Sequence, residues 1–264
     1  MSLKEDFSMT KLITSDIDGT LLLNGAYTLE PEMFDIILEL KKKGITFVAA
    51  SGRQLESMRR LFGPIADEID YIAENGSLFV HNGEITIISK VERNLAMDIL
   101  DCIQTKPNCN TMVSGVHTCY VLPDAPDFLH HVQNELNNHT TIVNDFNEIE
   151  ETIIKIATQD HVDSKSSQQF FHENFHKELK VVASGNDWID FIPYECSKGT
   201  ALEIMLEKLK ISSEDVMAFG DQQNDLEMLK LAGKSYAMEK APDSVKAHTT
   251  NVTDSVGKIL KTLL

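Results

Sequence analysis

The order of apolar runs, helical spacings and glycine stops predicts an α/β protein: a doubly wound, mainly parallel sheet interrupted by an inserted α+β segment. Short apolar runs at 11–14, 45–50, 70–73 and 216–219 alternate with segments of helical spacing. The run at 45–50 is apolar but for Thr46, as expected of a strand covered on both faces. From about His81 the texture changes to hairpin-like signals in a stretch rich in Asn, His and Thr, and the first texture returns near Pro193. The core is therefore expected over 1–81 and 193–264, with 82–192 as the insertion.

Taken in order, residues 1–9 read as a polar leader, with Met9 a candidate start. Residues 11–14 form the first strand, and Gly19 marks an abrupt turn after it. Met33, Ile36, Ile37 and Leu40 share one face of a helix over 30–43 that stops at Gly44. Strand 45–50 leads through Ser51-Gly52-Arg53 into a helix over 54–62, and strand 70–73 runs into Glu74-Asn75-Gly76. Asn82-Gly83 is a hairpin turn signal. The insertion then reads as helix 92–105, strands near Thr111 and Tyr120, helix 127–137, strand 152–158, helix 164–174, and strands 180–183 and 188–192. Helix 199–210, strand 216–219, helix 225–232 and strand 235–237 complete the core.

Composition narrows the function. The 264 residues suggest about two domains. With 24 basic against 41 acidic residues the net charge is −17, which disfavours nucleic acid and anionic membrane surfaces as partners. An anionic substrate must then be drawn in by local cations or a metal. Cys102, Cys109, Cys119 and Cys196 form no metal or redox spacing and read as reduced thiols of a cytoplasmic protein. No apolar run reaches membrane-spanning length. A monomer or weak homodimer is expected.

Chemistry in open α/β sheets collects beyond the carboxyl ends of the strands. Asp16 and Asp18 follow the first strand, Ser51 the second, and Asp221 the strand at 216–219. Two aspartates two residues apart at the mouth of a buried strand are costly unless a cation lies between them. A divalent metal would answer that cost, leaving one carboxylate free to attack and the other to exchange a proton. Singly, each residue has a plain structural explanation: Ser51 as a helix N-cap, Asp221, Asn224 and Asp225 as cap and first-turn acids. Lys198 resists one, because it opens a helix where the dipole disfavours a cation. A phosphate nearby would reverse that sign. His172-Glu173-Asn174-Phe175-His176 matches the zinc-peptidase pattern, with Glu195 as a conceivable third ligand, but it lies on a polar helix whose default is a solvated face.

With Asp16-Ile17-Asp18-Gly19-Thr20, Ser51-Gly52-Arg53, Ser197-Lys198-Gly199 and Gly220-Asp221-Gln222-Gln223-Asn224-Asp225 in order, the chain resembles the haloacid dehalogenase superfamily. Within it, the likeness is to the Cof-type, class IIB sugar-phosphatase-like branch, whose cap lies between the second and third motifs. Glu74-Asn75-Gly76, Trp188-Ile189-Asp190 and the stretch 238–242 extend it over nearly the whole chain. The resemblance implies a Rossmann-like three-layer core with an inserted α+β cap of the C2B type. It implies a phosphoric monoester hydrolase in which Asp16 is the nucleophile, forming an aspartyl-phosphate, and Asp18 is the acid and base. Ser51, Gly52, Lys198 and Asn224 would bind the phosphoryl group. Mg²⁺ would be held by Asp16, the main-chain carbonyl of Asp18, Asp221 and, at or just behind the first ring of ligands, Asp225. Arg53 and Asn75 are the candidates for substrate contact outside the cap. Gln222 stands where the family often has Gly or Asn, and Lys240 where an Asn is expected; neither is expected to touch a catalytic group.

The expected function is thus a Mg²⁺-dependent phosphatase of a small phosphorylated metabolite. A phosphomutase and a non-catalytic metabolite-binding protein on the same scaffold are the alternatives. The common expectation is that four acidic residues from distant parts of the chain, Asp16, Asp18, Asp221 and Asp225, meet around one hard cation.

Overall fold

The structure is a computed structural model that describes residues 10–184 and 187–264. The polar leader expected over 1–9 lies outside the described residues. Strands follow the chain as β1 (Leu12–Ser15), β2 (Thr46–Ala50), β3 (Asp70–Ala73), β4 (Leu78–His81) and β5 (Glu84–Ile87). Then come β6 (Cys109–Gly115), β7 (Cys119–Val121), β8 (Thr140–Ile142), β9 (Ile153–Asp160), β10 (Lys180–Ser184) and β11 (Trp188–Ile192). The last are β12 (Val216–Gly220), β13 (Lys234–Met238) and β14 (Asn251–Thr253).

Two sheets result. The larger has the order β14-β13-β12-β1-β2-β3-β4-β5, parallel from β14 to β3 and antiparallel between β3 and β4. β1 sits between β2 and β12, in register Leu12 with Thr46 on one side and with Val216 on the other. The chain builds outward from β1 through β2 and β3, and later through β12 and β13 in the opposite direction. That reversal makes a crevice at the carboxyl ends of β1 and β12, where open α/β sheets bind their ligands. The central strands are buried on both faces almost throughout, which explains their largely apolar sequences.

Helix Pro31–Lys42 packs Ile36, Ile37 and Leu40 inward, starts on Pro31 and ends on Lys41 and Lys42, both favourable to the helix dipole. Asn82 and Gly83 take φ of 49° and 79°, the turn that joins β4 to β5. Because β5 completes the larger sheet, the second compact unit begins at Ile87 and ends at Cys196, taking in Gln54–Ser57 as well. These limits lie a few residues beyond the expected 82 and 192.

That second unit carries the smaller sheet, β10-β11-β9-β6-β7-β8. Alternation along β6 and β9 sends Val113 and Ile156 to one face, against helices Arg93–Gln104 and Ser164–Phe175, and Met112 and Ala157 to the other. The helix expected over 127–137 is α-helical only over Pro126–His130 and continues as a π-turn through Glu135. Strands β8 and β14, helices Asp243–Lys246 and Val256–Lys261, and several single 3-10 turns lie outside the sequence expectation. Each is six residues or shorter, too short to show a period. Among the described residues no helix is long and apolar enough to cross a membrane.

Candidate active site

The site grows from the end of β1. The Asp16 N–H donates to Phe219 O at 3.0 Å, continuing the ladder with β12 one residue past the strand and leaving the Asp16 side chain buried. The chain then turns tightly, with Leu22 N–H donating to Ile17 O at 2.8 Å and Gly19 N–H to Leu22 O at 2.9 Å. Gly19 has φ +86°, and a Cβ there would lie 2.4 Å from Asp221 Oδ2. Only glycine meets both demands. The turn swings the Thr20 hydroxyl onto Asp221 Oδ1 at 3.1 Å.

Lys198 arrives from the first residue of helix Lys198–Leu209. Ser197 caps that helix by accepting the Thr200 N–H at 3.0 Å. The loop after β3 fixes its height: Gly76 has φ +100°, and a Cβ there would be 2.0 Å from Ser197 O. Lys198 Nζ, 1% exposed, donates to Asp16 Oδ1 and Asp225 Oδ1, each at 2.6 Å. Asp225 Oδ2 accepts the N–H groups of Asp221 and Gln222, each at 3.0 Å. Both Asp225 oxygens are therefore engaged in holding Lys198 and the loop after β12.

The loop after β2 completes the rim. Ser51 is buried, and its Oγ accepts the Arg53 N–H at 3.2 Å. Ser51 O accepts from Asn75 N–H at 3.0 Å and Arg53 O from Glu74 N–H at 3.1 Å, so the 51–53 and 74–76 loops are pinned together. The Asn224 amide donates to Asn75 Oδ1 at 3.2 Å. Asn75 packs so closely on Gly52 that a Cβ on Gly52 would lie 2.9 Å from its Oδ1.

Electrostatics follow from burial. Asp16, Asp221 and Asp225 bring one carboxylate oxygen each within 4.8 Å of one another. Burial pushes the Asp16 carboxyl up to about 7, against the pull of the Lys198 ammonium and with help from the charges on Asp225 and Asp221. Asp221 is raised as well, chiefly by burial, while hydrogen bonds from Gln222 and Thr20 pull it back. Burial opposes the charge on Lys198, but the two carboxylates win and hold its proton more tightly than usual. Three buried carboxylates face one buried ammonium. The excess of negative charge and the all-oxygen donor set fit a hard divalent cation such as Mg²⁺.

Asp16, Lys198, Asp221 and Asp225 are thus brought together, with Ser51, Gly52, Asn75 and Asn224 in linked loops of the same unit. The expectation of four converging carboxylates needs correction. The Asp18 side chain is not in the cluster; it is half exposed and paired in a fork with Arg53, Nε to Oδ2 at 2.8 Å and Nη2 to Oδ1 at 2.5 Å. A guanidinium nearby satisfies it without the metal. Gln222 also departs from expectation, since its Nε2 donates to Asp221 Oδ2 at 2.9 Å. Lys240 reaches Asn24 Oδ1 at 2.7 Å and no residue of the cluster among its described contacts. Thr20 and Gln222 are the contacts that sequence reasoning missed; their adjacency to Asp18-Gly19 and Asp221 was the available signal.

His172 and His176 stack on each other with centroids 5.0 Å apart, and Glu173 accepts from Gln169. They form no cluster able to hold a metal among the described residues. All four cysteines are free.

Comparison with known proteins finds relatives over nearly the whole chain. The chain is 29% identical over 262 residues to the 5-amino-6-(5-phospho-D-ribitylamino)uracil phosphatase YbjI of Escherichia coli K12, covering 95% of this chain and 96% of that one. It is 26% identical over 244 residues to the HMP-PP phosphatase of Escherichia fergusonii, covering 90% and 88%. A crystal structure from Eubacterium rectale superposes with a TM-score of 0.88 at 29% identity, covering 97% of this chain and all of the other. The sequence pattern of one family matches residues 13–258, nearly the whole described chain, and the protein belongs to that family, the haloacid dehalogenase-like hydrolases.

Proposed function

We propose that the protein is a Mg²⁺-dependent phosphatase that hydrolyses a small phosphomonoester, such as a sugar phosphate, through an aspartyl-phosphate. The observation that carries this reading is the buried Lys198 ammonium shared by Asp16 and Asp225 at the sheet's switch point. The relatives' substrates, a phosphoribitylamino uracil and HMP-PP, support a small phosphorylated metabolite. The second unit is assigned as the inserted cap domain.

In this mechanism Asp16 attacks phosphorus, the bond from phosphorus to the leaving oxygen breaks, and Asp18 gives its proton to that oxygen. Water then attacks the phosphorus of the aspartyl-phosphate while Asp18 takes a proton from it. The bond between phosphorus and the Asp16 oxygen breaks, releasing inorganic phosphate and restoring the carboxylate. Lys198 and the Ser51 hydroxyl hold the phosphoryl oxygens, with Gly52 and Asn224 beside them. Bound Mg²⁺, held by Asp16, Asp221 and the main-chain carbonyl of Asp18, would neutralise the charge on the transferring phosphoryl group. Asp225 is placed behind these ligands because Lys198 and two main-chain N–H groups already use both its oxygens.

The test is turnover of a generic aryl phosphate with Mg²⁺, together with acid quenching to trap the aspartyl-phosphate. Wild-type protein should hydrolyse the ester and retain label on Asp16. Full turnover by Asp16→Asn would overturn the assignment.

A further inference from the structure

Arg53 and Asp18 form an ion pair that the hydrolytic cycle cannot leave in place. Both Asp18 oxygens are taken by the guanidinium, in the geometry that matches a planar fork to a carboxylate. So held, Asp18 stands apart from the cluster of Asp16, Asp221 and Asp225, and with both its oxygens taken by the guanidinium it has none free to face a leaving group. The main chain of Arg53 is anchored through Ser51 Oγ and Glu74 N–H, so exchange of partners falls to the side chains. The side chains of Arg53 and Asp18 are 31% and 55% exposed, and ion pairs this open are favoured over separation by roughly fivefold or less. An incoming oxyanion can therefore take the guanidinium from Asp18.

We infer that Arg53 is a positioning residue that holds Asp18 in reserve and releases it when a second anionic group on the substrate takes over the guanidinium. The inference rests on the phosphatase reading and narrows its substrate class to phosphomonoesters whose leaving group carries a further phosphate or carboxylate. A leaving group with no charge gives Arg53 nothing to exchange for Asp18. The chain's net charge of −17 makes such a local cation the more necessary for a doubly anionic substrate.

The experiment compares kcat and KM of the Mg²⁺-loaded protein on matched pairs, phenyl phosphate with 4-carboxyphenyl phosphate and a hexose monophosphate with its bisphosphate. Wild type should prefer the doubly anionic member of each pair by roughly tenfold or more. Arg53→Ala should lose that preference through KM and kcat together, while its kcat on the uncharged member rises by up to about fivefold as Asp18 is freed. Arg53→Lys, which keeps the charge but not the fork, should recover part of the preference. Equal losses on both members, or an unchanged preference in Arg53→Ala, would overturn the inference while leaving the phosphatase reading intact. Absence of turnover on every ester by wild type, with no label on Asp16, would instead sink that underlying reading.

Discussion

Asp16 carries two opposed demands at the scale of a single side chain: ionised, it can attack phosphorus, yet its buried setting favours the protonated form up to about pH 7. Replacing it by Asn keeps the shape and removes the charge. Asp16→Asn should lower turnover on the order of 10⁴-fold or more, as loss of a covalent nucleophile does. The same variant, free of metal, should melt a few degrees higher than wild type at pH 7.5 and gain nothing at pH 4, because only the ionised carboxylate is disfavoured. Calorimetry at the two pH values checks this. Gly19 sets a second demand. Its positive φ disfavours any side chain by about 1–2 kcal/mol, and the added carbon would push on Asp221 Oδ2. Gly19→Ala should therefore weaken Mg²⁺ binding by at least about tenfold, measured by titration calorimetry, beyond its loss in melting temperature.

At the scale of elements, the helix start at Ser197-Lys198 joins stability to chemistry. Removing the cap by Ser197→Ala should cost about 1 kcal/mol of stability, read by urea denaturation. It should also lower kcat more than it raises KM, because the first turn sets the height of Lys198 between Asp16 and Asp225. Much of this was legible in the chain: short, largely apolar runs placed β1, β2 and β12 in a covered sheet, and the polar residues after them fell on one rim. Lys198 stood out because a cation at a helix start contradicts the dipole, and Asp16 is its partner from 182 residues away. The direction of the Asp18 side chain was not legible, since it depends on how close Arg53 is brought by the loop after β2. Nor was the reach of Gln222 onto Asp221, which is set by a rotamer. Strands β8 and β14, of three residues each, carry no period and are defined only by the neighbour they pair with.

The balance of charge in the whole molecule couples stability, pH and metal. An unfolded Asp16 loses its proton near the ordinary value of 3.8, whereas the folded one keeps it to about 7. Between those limits the folded state binds more protons, so the contribution of this group to stability falls as pH rises and is level above about 7. Asp221 acts in the same direction. A divalent cation competes with these protons for the same oxygens and binds better as they leave. Free of metal, the protein should thus lose stability from pH 5 towards pH 8, and Mg²⁺ should restore more of it at pH 8 than at pH 5. At a Mg²⁺ concentration one hundred times its Kd the gain is about 2.7 kcal/mol, or roughly 5–10 °C for a chain of this size. Scanning calorimetry with EDTA and with Mg²⁺ at both pH values reads it directly. A Mg²⁺-induced shift as large at pH 5 as at pH 8 would mean that the cation is not bound through these buried carboxylates. The same scans on Asp221→Asn should show most of the Mg²⁺ shift gone, because the loop after β12 then offers the metal an amide in place of a charge.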